Sequence, residues 1–298
     1  MARSVALPLT LLALSALSIG CADISDSEMD AYAIDEIPQE TMGGGIGSGG
    51  QNSLDSDVFH ANDLYLYQSA RDNLGWWDML NFKWWLKGNA SNNNLKGSAG
   101  GRSVLDYAAR CGLPSGHKVW YTAGIFSLSV TGQGHMATVT AANWKTTGLS
   151  MTQTEDLFAC VIAHMNGFGE TVPIHLSGPN VNEVIDAATE GYGWDEALFA
   201  ADISINPLNG GPDFKYHAYP FAHAGCPTIV TGLDTRICGS TPACGLTIHP
   251  SSEIGTKCVL APDGYYCYLK GSGSYVPMVM TRLKTTDVGK FYRTCGTN

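Results

Sequence analysis

The cysteines are the residues whose chemistry the sequence predicts most directly. Cys21 follows an apolar N-terminal segment, and eight more cysteines lie downstream of it. Thiols that meet in an oxidising compartment form disulfides, whereas a structural zinc site favours closely spaced Cys-x-x-Cys pairs, which this sequence lacks. An even set also argues against a nucleophilic thiol, so we predict disulfides, with zinc binding and cysteine catalysis as the alternatives. The eight are Cys111, Cys160, Cys226, Cys238, Cys244, Cys258, Cys267 and Cys295.

Sequence position alone does not fix how these cysteines pair. We expect Cys111 to pair with Cys160, which would join two predicted helices. The last six cysteines would then form disulfides within the C-terminal part of the chain. Each such bond typically stabilises a domain by about 2–4 kcal/mol.

Histidines give a second group of possible ligands. His217 and His223 lie in an aromatic segment, with Asp213 nearby. The His-x5-His spacing is not that of a zincin, and Pro220 excludes a helix between the two rings. We therefore predict no metal site and no cofactor, and retain these two histidines only as weak candidates. His164, near the end of a predicted helix, is expected to be a surface or packing residue.

Motifs of hydrolytic enzymes are scarce. Gly-x-Ser-x-Gly is absent from the folded region, and Ser-x-x-Lys occurs once, from Ser115 to Lys118. The Ser-Asp-Asn and Lys-Thr-Gly partners of the β-lactamase motif are missing, and Pro114 with Gly116 indicates a turn there. A catalytic triad needs no fixed motif, so a secreted hydrolase with an unrecognised site remains the alternative to a non-enzymatic protein.

Paired tryptophans suggest a binding surface. Their rings could stack on sugar rings or rest in a lipid interface, since indole combines a large apolar face with one polar group. Packing in the core is the alternative interpretation, because the four tryptophans recur at helical spacing with Leu80. The residues are Trp76, Trp77, Trp84 and Trp85.

The N-terminus predicts export. Residues 1–20 form a signal peptide with one basic residue, an apolar run too short to span a membrane, and small residues before Cys21. This pattern is similar to a bacterial lipobox, although Ser18 replaces the usual bulky aliphatic residue. We expect Cys21 to carry a lipid that anchors the protein, and the alternative is ordinary cleavage, for instance after Ala22.

Acidic residues separate a tether from a folded domain. Nine carboxylates and no Lys or Arg lie between Ala22 and Val58, and a glycine-rich stretch follows Met42. We interpret residues 21–58 as the lipidated cysteine and a flexible tether, since no Gly-Lys-Ser/Thr ending supports a phosphate loop. Residues 59–298 then form a single extracytoplasmic domain with 18 acidic and 16 basic residues. Such a balance offers no basic surface for nucleic acid.

Hydrophobic spacing predicts three helices. The first contains the tryptophan pairs, the second covers residues 103–111, and the third begins at a capping box of Thr152 and Glu155 and ends at Gly167. The fold class is α+β, with a partly helical N-terminal half and a strand-rich, disulfide-stapled C-terminal half. Strands are predicted at residues 118–131, 137–144, 172–176, 228–231, 246–249, 258–260, 265–269 and 275–282, with a hairpin turn at 261–264.

Three segments carry a resemblance to a known family. They span residues 105–116, 159–169 and 172–179, and the likeness extends to Glu190-Gly191 and the cysteine-rich end. The sequence resembles uncharacterised cysteine-rich lipoproteins of myxobacteria and their relatives, which have similar Tyr-x-x-Arg-Cys-x-Leu-Pro-x-Gly and Ala-Cys-x-x-Ala-x-x-Asn segments. The resemblance implies export and disulfides, and it implies no particular activity.

These observations predict a lipid-anchored envelope or cell-surface protein, an outer-membrane lipoprotein facing the periplasm or the cell surface. We expect its domain to be a binding or structural module rather than an enzyme. Besides the membrane, its expected partners are a polysaccharide or an envelope protein.

Overall fold

The computed structural model describes residues 50–52, 82, 86, 96, 99–123, 125–166, 172–182, 187, 189–205, 212–223, 226, 229–238, 245–269, 273–292 and 295. All of them belong to one unit of the chain, Gly43–Asn298. The predictions made for the signal peptide, for Cys21 and for the four tryptophans lie outside the described residues, and only Phe82 and Leu86 of the first predicted helix are described, both as helical.

The described elements are α-helices and β-strands in alternating groups. The helices are α1 (Ala99–Gly112), α2 (Ala137–Ala141), α3 (Met151–Ala163), α4 (Ile229–Cys238), α5 (Ile254–Lys257) and α6 (Val288–Phe291), and a 3-10 turn covers Ser251–Glu253. The strands are β1 (Gly50–Asn52), β2 (Lys118–Ala123), β3 (Phe126–Thr131), β4 (Val172–Ser177), β5 (Trp194–Ile205), β6 (Pro212–Pro220), β7 (Leu246–Ile248), β8 (Cys258–Ala261), β9 (Gly264–Leu269), β10 (Ser274–Pro277) and β11 (Val279–Leu283). The predicted α+β class is confirmed.

A six-stranded sheet forms the middle layer, with strand order β1-β4-β11-β5-β6-β7. Its pairs are antiparallel except β6 with β7. Gly50–Asn52 lies within residues 21–58, which were predicted to be a flexible tether, but these three residues form the edge strand beside β4. A three-stranded sheet, β10-β9-β8, and the β2-β3 hairpin complete the described strands.

Strand β5 is covered on both faces. Residues such as Phe199 and Ile203 point into the main core, which also contains the buried residues of α1 and α3. Leu198 and Ala200 point the other way, into a second core that they share with Leu269 of the small sheet. Because neighbouring side chains of a strand alternate between faces, β5 holds helices on one side and the small sheet on the other.

Helix α3 is central to the main core. Ser150 is its N-cap: its Oγ accepts a hydrogen bond from Gln153 N (3.3 Å), and Gln153 Oε1 accepts one from Ser150 N (2.9 Å). The predicted capping box of Thr152 and Glu155 is therefore wrong by two residues. Glu155 instead accepts a hydrogen bond from the backbone N–H of Ile203 in β5, at 3.0 Å.

Two predicted strands are helices in the structure. Residues 137–141 form α2, where Val139 is buried and Thr138 Oγ1 donates to Asp156 Oδ2 at 2.7 Å. Residues 229–238 form α4, which buries Leu233 and Ile237 four residues apart. In both segments, packing against the core outweighs the strand preference of their β-branched residues.

Two further segments, each predicted as a single strand, form two shorter strands in the structure. Residues 118–131 form the β2-β3 hairpin rather than one strand. Residues 275–282 supply β10 of the small sheet and then β11 of the large sheet, with the chain crossing between sheets at the buried Met278. Strands β5 and β6, the longest of the described strands, were not predicted, while the strands at 172–176, 246–249, 258–260 and 265–269 are confirmed.

The described cysteines form disulfides, as predicted. Cys111–Cys160 joins α1 to α3 with Cα atoms 6.0 Å apart, which confirms the expected pair. Cys226–Cys295 and Cys258–Cys267 lie in the C-terminal half. Cys238 is also disulfide-bonded, and Cys244 lies outside the described residues.

A buried ion pair links β5 to α4. Glu196 has no partner in β11, because the register shifts between Thr281 and Arg282. Its carboxylate lies 3.0 Å from the guanidinium of Arg236 and accepts hydrogen bonds from the hydroxyls of Thr281 and Tyr292, each at 2.8 Å. The two opposite charges are paired inside the core, where either one alone would be strongly destabilising.

None of the described helices combines the length and the apolar character that crossing a membrane requires.

The β8-β9 turn provides a direct test of the fold. Gly264 has φ +140°, and a Cβ there would lie 2.8 Å from Pro179 Cδ and 3.0 Å from Gly178 Cα. We expect Gly264→Ala to lower the free energy of unfolding by about 1–3 kcal/mol, measured by urea denaturation. Gly255→Ala is the matched control, because a Cβ there meets open space within α5. Equal stability of the two variants would contradict this account of the turn.

Candidate functional site

A cavity of about 420 Å³ opens beside β6, on the face of the large sheet that also packs against the small sheet. Asp202 of β5 and Lys215, His217 and Tyr219 of β6 line one side. His249 and residues of the α5–β9 segment line the other. Its size falls within the range of roughly 300–1,000 Å³ that is usual for small-ligand sites.

Strand register explains why these side chains share the cavity. Ala200 pairs with His217, and Asp202 pairs with Lys215. Directly paired residues of an antiparallel sheet point to the same face, so Asp202, Lys215 and His217 all project away from the main core. Tyr216, between Lys215 and His217, is buried in the main core on the opposite face.

Two histidines and a glutamate form a hydrogen-bonded relay. His249 Nδ1 lies 2.9 Å from Glu253 Oε2, and His249 Nε2 lies 3.0 Å from His217 Nδ1. A carboxylate can only accept, so His249 Nδ1–H donates to Glu253 and its Nε2 accepts from His217 Nδ1–H. This order leaves His217 Nε2 as a lone-pair acceptor.

Charge and burial fix the protonation of the relay. The hydrogen bond from Lys257, at 2.7 Å, lowers the pKa of Glu253, which therefore carries a negative charge at neutral pH. Burial lowers the pKa of His217 to about 4, and His249 and nearby lysines act in the same direction. Burial also lowers the pKa of His249, although Glu253 opposes that shift. Both imidazoles are consequently neutral at pH 7.

Tyr219 holds the relay in place from one side. Its ring stacks on His249 with centroids 4.0 Å apart and planes 3° from parallel. Burial raises the pKa of Tyr219 to about 12, so its hydroxyl stays protonated. The ring is buried in the second core, which ties the relay to the rigid middle of the sheet.

Two buried acceptors in this cavity are unsatisfied. Among the described residues, Asp202 Oδ2 and His217 Nε2 are buried and have no hydrogen-bond partner. Burial raises the pKa of Asp202, with Lys215 lowering it and Asp213 raising it. Buried polar atoms in proteins almost always have a hydrogen-bond partner. Leaving such an atom without a hydrogen bond costs about 1–3 kcal/mol.

The small sheet exposes an aromatic surface at the rim of the cavity. We call Val259, Tyr266, Tyr268 and Tyr275 the tyrosine face, since strand pairing puts all four on one side of the sheet. Tyr268 and Tyr275 are 44% and 54% exposed, and their rings meet edge to face at 5.8 Å. Tyr268 is also among the residues that line the cavity, while its neighbours Cys267 and Leu269 pack in the second core, so the tyrosine face and the cavity meet at this residue.

The two histidines that were singled out from sequence do not form one site. His217 lies in the cavity. His223 lies after the end of β6, where its ring stacks on Trp194 at 4.0 Å and its Nε2 donates to Asp195 O at 2.6 Å. Ser115 sits in an exposed turn before β2, outside the residues that line the cavity.

Sequence reasoning missed the other members of the site. His249 and Glu253 are four residues apart, a spacing that could have suggested an interacting pair. Asp202 gave no local signal, because its position depends on the pairing of β5 with β6.

His164 lies deep in the main core, beside the Cys111–Cys160 disulfide. Among the described residues, Cys111, Cys160 and His164 are three metal-capable side chains whose ligand atoms lie within 4.8 Å of one another. Both sulfurs belong to one disulfide, so neither offers a thiolate to a metal. His164 is fully buried, donates from Nδ1 to Cys160 O at 2.8 Å, and has its pKa lowered to about 3 by burial. We interpret this cluster as a packing element.

No protein-family model, curated protein or solved structure matches the chain. The resemblance to cysteine-rich lipoproteins therefore stays a prediction, and the geometry alone supports the functional argument.

The relay can be tested by NMR titration. We expect Glu253→Gln to lower the pKa of His249 further, because it removes the charge that favours the imidazolium form. Side-chain ¹⁵N shifts would measure this and would report His217 Nε2 as unprotonated in the wild type. Glu190→Gln, which changes an exposed carboxylate outside the cavity lining, is the control. An unchanged titration of His249 in Glu253→Gln would refute the relay.

Proposed function

We propose that this protein is an exported lipoprotein, anchored through Cys21, whose folded domain binds a polysaccharide at the tyrosine face. The observation that carries the binding proposal is the exposure of Tyr268 and Tyr275 beside a cavity with unsatisfied acceptors. The proposal of an anchor depends on the N-terminal sequence.

Exposed aromatic rings need an explanation in a folded domain. Tyr268, Tyr275 and the 53% exposed Val259 lie together on the tyrosine face, where burying them against a ligand would be favourable. A phenol ring has a flat apolar face for the C–H groups of a sugar ring and a hydroxyl for its polar edge. Adjacent rings suit a repeating ligand, which can cover both at once.

The neighbouring cavity favours a sugar polymer over an envelope protein. Its lining includes histidine, lysine, tyrosine and aspartate side chains, and it contains unsatisfied acceptors. A polyhydroxylated ligand can fill such a space with donors, whereas protein interfaces are usually depleted of charged groups at their centre. The described lining residues include no serine or cysteine, so they offer no hydroxyl or thiol nucleophile of the Ser-His or Cys-His kind.

Anchoring is tested by mass analysis of the mature N-terminus. We expect Cys21 as the first residue, carrying a diacylglyceryl group, and the protein in the membrane fraction. Cys21→Ala should move it to the soluble fraction, since a folded domain of this charge has no other predicted attachment. An unmodified terminus downstream of Cys21 would contradict the anchor and would leave the binding proposal untouched.

Binding is tested with a panel of envelope and cell-wall polysaccharides. Tyr268→Ala and Tyr275→Ala should each weaken affinity by about 1 kcal/mol, or about fivefold, in calorimetric titration. Trp120→Ala is the matched control, because Trp120 is 52% exposed on the separate β2-β3 hairpin. Equal losses in all three variants, or capture of an envelope protein in place of any glycan, would refute polysaccharide binding at the tyrosine face.

A further inference from the structure

The cavity beside the tyrosine face has a chemical preference that follows from its unsatisfied atoms. We infer that it holds one sugar residue of the bound polymer through hydroxyl or ammonium donors, with Asp202 and His217 as the acceptors. The ligand is then a neutral or amino polysaccharide and not an acidic one. This inference rests on the proposed polysaccharide binding and specifies its ligand class.

The first acceptor is fixed by the relay. Glu253 accepts from His249, and His249 accepts from His217, so the free nitrogen of His217 is Nε2 without a proton. That nitrogen is buried and has no partner among the described residues. A ligand group that meets it must donate a hydrogen bond.

The second acceptor is a buried carboxylate. Asp202 is 1% exposed, lines the same cavity, and has an Oδ2 without a partner in the described part of the chain. Asp202 and His217 occupy diagonal positions of the β5-β6 pair, where Cβ atoms are separated by roughly 7–8 Å or somewhat less. One sugar ring placed between them can donate to both, because its hydroxyls point outward on different sides.

The charge of the cavity argues against an acidic ligand. Lys215 is paired with Asp213 at 3.3 Å, and Lys257 is paired with Glu253 at 2.7 Å. Each lysine is matched by a carboxylate, and Asp202 adds a further negative charge when it is ionised. A uronate or phosphate entering this space would therefore find no unpaired lysine among the described lining residues, while a hydroxyl or an ammonium group could donate to Asp202 and His217.

Continuity with the tyrosine face places the rest of the polymer. Tyr268 belongs both to that face and to the cavity lining. A polysaccharide stacked on Tyr268 and Tyr275 can therefore place one sugar residue in the cavity. There Asp202 and His217 accept hydrogen bonds from its hydroxyl or ammonium groups.

The test compares three sets of oligosaccharides of equal length with the full chain. These are N-acetylglucosamine oligomers as neutral probes, glucosamine oligomers as amino probes, and uronic acid oligomers as acidic probes. We expect the acidic set to bind at least tenfold more weakly than the better of the other two. Tightest binding of uronic acid oligomers would overturn the inference.

Variants separate this inference from the proposed function. Asp202→Asn and His217→Gln should weaken binding of the preferred probe about tenfold, while Asp234→Asn, an exposed carboxylate on α4, should not. If Tyr268→Ala weakens binding and the two cavity variants bind as tightly as the wild type, polysaccharide binding stands and the cavity assignment falls. If no probe or polysaccharide binds the wild type, both fall.

One measurement needs no variant. The ¹⁵N resonance of His217 Nε2 in the wild-type protein should shift when the preferred oligosaccharide is added, because a new donor reaches its lone pair. A resonance that stays in place at saturating ligand would overturn the assignment even where Asp202→Asn or His217→Gln does not fold.

Discussion

Burial of β5 on both faces is the constraint on which the rest of this structure depends. One face contributes Phe199 to the core under the helices, and the other contributes Leu198 to the core under the small sheet. A strand in this position has no solvated side, so any polar group on it needs a partner. Glu196 has one in Arg236, which anchors α4 to the sheet. Asp202, near the other end of the strand, has an oxygen without one, and this contrast distinguishes a structural carboxylate from a candidate binding residue.

Local signals in the sequence predicted local features well. The β8-β9 hairpin follows from Gly264, whose positive φ the turn requires. The expected pairing of Cys111 with Cys160, which joins two predicted helices, is confirmed. The approximate start of α3 was also predicted, although the cap is Ser150 because its side chain and that of Gln153 bond reciprocally.

Features that depend on distant partners were beyond sequence reasoning. Strand β5 reads as a mixed run of small, acidic and apolar residues, since its two faces belong to different cores. The residues of α4 include a β-branched run whose strand preference is outweighed by the packing of Leu233 and Ile237 in the core. The cavity shows the same limit: His217 was noticed for its neighbour His223, but its partner in the fold is His249, a residue 32 positions away.

The Cys226–Cys295 bond has a consequence for proteolysis. It closes a loop of the chain that contains the whole small sheet and strand β11. A protease that cuts the backbone once anywhere between these two cysteines produces two fragments that remain covalently joined. A single nick would therefore leave the small sheet attached to the rest of the chain.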